Sequence, residues 1–343
     1  MCITLENAQI KHNMATIKDV AKLAGVGVGT VSRHISGSQS VSDKAREKID
    51  AAMLALQYRP NSMARSLSSK KSNIIGLWVP SFSGSFHRKM LQTIERELRK
   101  RDKHIILANA EDAHTDQERL KCLDYLIERD CDGILMSCPE LSIVELVKVE
   151  SRYANIIFLN RELPDLPNKS FSIDHYLGGR LAAEHLVSLG HTAFAIVTGR
   201  MNAQDAQKRH QGFMDVLAEN NINIDTDLIV SGGYSFAQGL EATKTLIAKN
   251  KPFTALFCGN DNSAMAAMSE LNANGIVVGK EVAVVGYDDI DIAAYTSPTM
   301  TSVHTPLEEV SRNACHQLLN LCYGEQLPIQ THFVPQLSIR ESS

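Results

Sequence analysis

No run of 18 apolar residues occurs in this 343-residue chain, so no membrane span is expected, since a helix needs about 20 to cross the hydrocarbon layer. The twelve histidines include no HExxH pair, and no serine or cysteine has nucleophile-elbow spacing. Two common hydrolytic chemistries therefore lack their residues, and neither catalysis nor a metal or other cofactor is expected. The seven cysteines (2, 122, 131, 138, 258, 315 and 322) form no CxxC pair, and several fall in apolar segments. Their odd number and expected burial read as the reduced thiols of a cytoplasmic protein. Residues 1–13 hold no apolar core long enough for a signal peptide and read as a disordered extension, or as an upstream start before Met14. A dinucleotide loop is excluded as well: GVGVG at 25–29 follows no strand, and Thr30 stands where the third glycine would fall.

Charge is divided along the chain. Residues 1–71 carry eleven Lys and Arg against five acids, a net +6, and the remainder carries −10. A basic head on an acidic body suits one end to a polyanion. Within the head, Ile17, Val20, Ala21 and Ala24 recur at helical spacing behind Thr16, a natural N-cap, with Asp19 in the first turn. Gly25 supplies a left-handed corner and Val26 plugs it. A second helix is expected over residues 28–35, with Val31 and Ile35 inward and Val28, Gly29, Ser32 and Arg33 outward, where base edges and phosphates would be met. A third, about 42–57, closes the bundle through Ala45, Ile49, Ala52, Met53 and Leu56. This is helix-turn-helix geometry.

From Asn73 onward, short β-rich runs alternate with amphipathic helices. Strands are expected at 74–80, 104–110, 133–137, 156–160, 193–198, 254–259 and 282–288, giving an α/β protein with parallel sheets. About 270 residues exceed one typical domain, so two lobes with a crevice are expected. Parallel sheets bind ligands beyond the carboxyl ends of their strands. Those ends carry Asn160 and Arg161, Asn260 and Asp261, and Asp288 and Asp289, a set of amides, carboxylates and a guanidinium suited to a polyhydroxylated ligand.

From MATIKDVAKLAG at Met14 through TVSR, YRPN and ARSLSSKKS, the head resembles the DNA-binding headpiece of the LacI/GalR family, and most of all its galactose branch. The resemblance extends over nearly the whole chain. It implies a headpiece at 14–60, a hinge helix and linker at 61–72, and a type I periplasmic-binding-protein-like core at 73–343 crossing three times between lobes. Lobe 1 would span about 73–172 plus 303–330, and lobe 2 about 173–302 plus 331–343. DNA contacts would include Thr16, Thr30 and, in the hinge, Asn61, Ala64 and the minor-groove wedge Leu67. Three headpiece positions depart from the family: Gly27 replaces a capping Ser, Gly29 softens the recognition helix, and His34 replaces Val, to pack or to add a backbone contact. Val28 with Gly29 resembles the Val-Ala pair of the galactose branch and implies a related half-site.

In the core, Asn160, Asn260 and Asp288 match effector ligands of the family. Arg209, ahead of the shared Gly212, matches a sugar-clamping arginine; Asp174 and Tyr234 fall at pocket positions, and Phe86 is placed on the opposite lobe. His87 and Thr305 depart from the usual pattern. The resemblance implies a cytoplasmic homodimer on double-stranded, pseudo-palindromic operator DNA, repressing sugar-utilisation genes until a small sugar, galactose or a β-glucoside, enters the cleft. The chain shows no heptad-patterned tail at SIRESS, so a dimer is expected rather than a tetramer. A corepressor sign, as in the purine branch, stays open, as does a solute-binding protein or enzyme on a related fold.

Overall fold

The computed structural model describes residues 15–36, 40–59, 71–82, 84–111, 113, 115–137 and 140–343. The expected extension and the hinge positions Asn61, Ala64 and Leu67 lie outside them. The chain forms two compact units that divide between Ser72 and Asn73.

Among its described residues the first unit holds three helices, α1 (Ile17–Ala24), α2 (Val28–Ile35) and α3 (Asp43–Ala55). Thr16 opens α1 with a capping box: its hydroxyl oxygen accepts from the Asp19 amide at 3.4 Å, and the Asp19 carboxylate accepts from the Thr16 amide at 2.8 Å. The Thr16 hydroxyl and amide, both donating to the Asp19 carboxylate, hold that carboxyl below its ordinary pKa. Gly25 ends α1 at φ +68°, a left-handed corner that a side chain would strain. Val20, Ala21, Ala24, Val31, Val41, Ile49 and Ala52 make the core.

The second unit has two lobes. In lobe 1, β1 (Ile74–Val79), α4 (Ser85–Arg99), β2 (His104–Asn109), α5 (Asp116–Glu128), β3 (Gly133–Met136), α6 (Ile143–Arg152), β4 (Ile156–Leu159) and β5 (Ser170–Phe171) build a parallel sheet of order β2-β1-β3-β4-β5. In lobe 2, α7 (His175–Ser188), β6 (Phe194–Thr198), α8 (Gln204–Glu219), β7 (Ile229–Ser231), α9 (Phe236–Ala248), β8 (Ala255–Cys258), α10 (Asp261–Ala273), β9 (Ala283–Asp288) and β10 (Thr301–His304) follow. The chain then returns to lobe 1 as α11 (Leu307–Tyr323) and ends in lobe 2 as β11 (Gln336–Ser338). The second sheet runs β11-β10-β9-β8-β6-β7, with β11 antiparallel to β10. Apolar clusters cover both faces of each sheet, as parallel strands require.

Two lobe boundaries shift from the sequence reading. The second sheet keeps β10 through His304, so the chain leaves lobe 2 after 304 rather than at 303. Phe333 is buried against Phe171 in the lobe 1 core, so the last crossing follows 333 rather than 330. Four short strands, β5, β7, β10 and β11, went unanticipated.

Two anchorages of the core bear on the sites below. In the first, α7 and α8 touch backbone to backbone: a Cβ on Gly179 would lie 2.0 Å from the Arg209 carbonyl oxygen, and one on Gly212 would lie 2.0 Å from that of Tyr176. Only glycine permits so close an approach. The second holds Asn73, the first residue of the core, at φ +59°. Its amide donates to Asp132 at 2.7 Å, its side-chain oxygen accepts from Lys103 at 2.7 Å, and its carbonyl accepts from the His104 amide at 2.8 Å. Tyr323, the last residue of α11, donates to the same Asp132 oxygen at 2.7 Å. At the other end of α11, Thr305 donates to the Asp288 carbonyl at 3.3 Å.

Candidate functional site

In the first unit, α2 buries Val31 completely and leaves Val28, Gly29, Ser32 and Arg33 exposed on the opposite side, with Thr30 half-buried. Gly27 is the N-cap and supplies no side-chain cap, so the first amides of α2 point outward without a side-chain partner from that residue. Arg33 lies along its own helix, its Nε donating to the Gly29 carbonyl at 3.1 Å. Thr16 is exposed, although its hydroxyl donates to Asp19 at 2.7 Å. Of the two roles open to His34, the structure has it pack: its Nε2 meets Asp50 Oδ1 at 2.6 Å, tying α2 to α3. The longer polar ring in place of Val has found a carboxylate on the neighbouring helix.

In the second unit, a cavity of about 910 Å³ lies between the lobes at the carboxyl ends of the strands. Asn160, Arg209, Tyr234, Asn260, Asp288 and Phe86 line it together. Asn160 ends β4 in the left-handed region at φ +54°. Because the chain turns sharply there, Arg161 leaves the cleft and donates to the Leu141 carbonyl at 3.0 Å. Asp174 is also displaced: it caps α7, accepting from the Leu177 amide at 2.9 Å, and borders a separate recess with Glu162 and Lys208. Asn260 caps α10, accepting from the Ser263 amide at 3.0 Å, and its amide donates to the Tyr234 carbonyl at 3.0 Å.

Several groups escaped the sequence reading. Arg209 donates to Asp205 at 2.9 Å and to the Gly259 carbonyl at 2.6 Å, and its guanidinium lies 4.0 Å from the centre of the Tyr287 ring. Against the cost of burial, the Arg209 charge holds Asp205 ionised, below the usual carboxylate range. His175 joins the lobes. Burial, with the neighbouring Arg209 charge, lowers its pKa to about 3, so the ring is neutral. Its Nε2 lies 2.7 Å from the Asn160 side-chain oxygen, an acceptor, and therefore carries the proton; Nδ1 then accepts from the Tyr287 hydroxyl at 3.0 Å. Asp288 is pushed up to about 7 by burial, with Arg209 opposing, and its Oδ1 is sealed from solvent without a hydrogen-bond partner. Asp261 is raised too, by burial and then by the Asp288 charge, and accepts from Ser302 at 2.5 Å.

Across the mouth Arg200 pairs with Glu140 at 3.2 Å. Behind it the Glu162 amide donates to Gln204 at 2.8 Å, and the Glu162 carboxylate meets Lys208. Among the described residues no cluster of His, Cys, Asp and Glu is placed to hold a metal, and no helix is long and apolar enough to cross a membrane.

The description "Bacterial regulatory proteins, lacI family" matches residues 16–61, and "Periplasmic binding protein-like domain" matches 183–343. The HTH-type transcriptional regulator GalR of Escherichia coli (strain K12) is 33% identical, covering 96% of each chain. A lac repressor dimer bound to operator and the anti-inducer ONPF aligns at a TM-score of 0.85 and 27% identity, covering 96% of this chain and 98% of that one. The transcriptional regulator CelR in complex with cellobiose aligns at 0.71 and 29% identity, over 96% of this chain and 100% of that one.

Proposed function

Because the chain belongs to the lacI family of bacterial regulatory proteins, and is therefore a DNA-binding transcription regulator rather than an enzyme, we propose that it represses sugar-utilisation genes and leaves its operator when a small sugar fills the interlobe cleft. Two copies of α2 would read the half-sites of a pseudo-palindrome, since one headpiece makes too few contacts for useful specificity. Galactose and β-glucosides are the first effectors to try. The observation that carries the sugar reading is Asp288, a carboxyl with one buried oxygen lacking a hydrogen-bond partner, lining the same cavity as Asn260 and Arg209. Hydroxyls both donate and accept, and such a mixed set satisfies them from both sides.

The sign of the response follows from differential affinity. An inducer binds the DNA-incompetent state more tightly, and operator DNA must then weaken inducer binding by the same factor, commonly about 5- to 150-fold. The test selects operator duplexes from a random pool and follows one by fluorescence anisotropy with galactose, glucose and phenyl β-glucoside. Weaker operator binding on addition of a saccharide is the expected result. Tighter binding would establish a corepressor, and no effect of any saccharide would remove the effector reading.

A further inference from the structure

The α2 helix is weakly held by its own sequence. It spans eight residues, too few for a helix to be stable alone. Gly27 caps it without a side chain, and Gly29 sits inside it, where glycine favours the unfolded backbone. Of its side chains only Val31 is buried, with Ile35 partly buried against the same core. One buried contact fixes where a helix lies and leaves its rotation about that contact weakly determined.

His34 and Asp50 supply a second fixed point. His34 stands three residues after Val31, hence on the same side of α2 and about 4.5 Å further along its axis. Asp50 follows the buried Ile49 on α3. The pair closes the rim of the headpiece core, the His34 side chain being 14% exposed and that of Asp50 64%. Their separation of 2.6 Å is that of a charge-assisted hydrogen bond. Nδ1 of the ring is sealed from solvent with no hydrogen-bond partner among the described residues, while Nε2 faces the carboxylate; the ring proton therefore lies on Nε2 and donates to Asp50. Such a bond is directional, as an apolar contact is not, and it joins the last turn of α2 to the middle of α3.

The exposed side of α2 gives that angle a consequence. Val28, Gly29 and Ser32 lie toward its N-terminal end, and the bond acts at the opposite end. Rotation of α2 about Val31 would carry these residues across the base edges, where hydrogen bonds weaken steeply off axis. Phosphate contacts by long, flexible basic side chains tolerate the same rotation.

We propose that His34 and Asp50 are a positioning pair for operator reading: their hydrogen bond fixes the angle of α2 on α3, and through it the sequence discrimination of the headpiece rather than its general attraction for DNA. This role rests on α2 as the helix that reads the half-site and is independent of which effector the core binds.

Anisotropy titrations of the full chain test this with a selected operator duplex and a scrambled duplex of the same length. Asp50→Ala and Asp50→Asn remove the same charge, which by itself strengthens all DNA binding, and differ in that asparagine keeps an oxygen acceptor at the same reach. Asp50→Ala should bind operator about tenfold more weakly than Asp50→Asn, a factor of about three at each of two headpieces, the scale of a partly exposed pair. Equal binding of the two variants to the scrambled duplex should accompany this, which verifies that both headpieces are folded. His34→Ala should lose operator affinity as well, and adding Asp50→Ala to it should cost nothing more. Selection from a random pool with the Asp50→Ala protein should return a relaxed half-site. Equal operator affinity of Asp50→Ala and Asp50→Asn would overturn the pair. So would a His34→Ala loss of the same size on both duplexes with a flatter salt slope, the mark of a ring that meets phosphate. Ser32→Ala and Arg33→Ala on the exposed side of α2 separate the two levels. If they weaken operator binding while the Asp50 variants agree, the pair alone fails; if none of these variants changes it, reading by α2 fails and the pair with it.

Discussion

Gly29 has open space where a side chain would begin: the nearest atom to its missing Cβ is the Arg33 Nη2, 3.8 Å away. Alanine therefore fits, and should stabilise α2 by about 0.5–1 kcal/mol through the lost backbone freedom of the unfolded chain. Slower amide hydrogen exchange across residues 28–35 of the Gly29→Ala protein would report the stiffening, and selection from a random operator pool should return an altered half-site. Asp288 offers a test by pH. Its folded pKa of about 7 is above the ordinary carboxylate value, so its proton stabilises the empty core as pH falls through 7, and that contribution is lost as pH rises. A ligand hydroxyl donating to the carboxylate favours the ionised form, so binding releases a proton and tightens from pH 6 to 8, by at most tenfold per unit. Titrations of wild type and Asp288→Asn at both pH values should show this slope in the first and weak, flat binding in the second. Asn160, Asn260 and Asp288 were legible because topology sends strand ends to the cleft. Arg161 and Asp174 were misread, since a left-handed turn at Asn160 and a helix cap at α7 are decided by local backbone geometry that neither strand-end topology nor a match of positions carries.

At the scale of elements, the α7–α8 contact places Arg209 and His175. Gly212→Ala would drive a methyl into the Tyr176 carbonyl and force the helices apart, an overpacking cost of about 1–3 kcal/mol. Urea unfolding should register that loss, and saccharide affinity should fall as well because Arg209 lies one turn from the contact. An unchanged midpoint would mean that the helices separate freely. The long strands and the three headpiece helices could be read directly, their apolar runs or helical spacing extending over enough residues to repeat. The β5, β7 and β11 strands span two or three residues each, too few for a period, and β10, Thr-Ser-Val-His, holds a single apolar residue where the equally short β3, β4 and β8 are apolar runs. Asp205 and His175 were invisible for another reason: each lies on a helix, and partners distant in sequence surround it, Tyr234 for Asp205 and Asn160 and Tyr287 for His175.

For the whole molecule, the +6 of residues 1–71 against the −10 of the rest confines attraction for DNA to one end. Operator affinity should accordingly fall steeply with salt, log K declining with log salt by about 0.9 per phosphate neutralised. Removing the exposed Arg33 by Arg33→Ala should flatten that slope by about one if it meets a phosphate, and anisotropy titrations at several salt concentrations would measure it. An unchanged slope would place Arg33 off the backbone.

The α11 helix gives this division a mechanical side. It begins beside Thr305, bonded to the backbone of Asp288, and ends at Tyr323, bonded to the carboxylate that clamps Asn73. Seventeen residues at 1.5 Å each make a rod about 25 Å long. Buried in the lobe 1 core through Leu307, Val310, Ala314, Leu318 and Leu319, it turns only with that lobe, and a lobe rotation of about 5° centred near Pro306 would become a stroke of about 2 Å at the residue from which the chain leaves for the headpiece. A displacement of that size exceeds what the short bonds around Asn73 can absorb by stretching, so the clamp must travel with the rod.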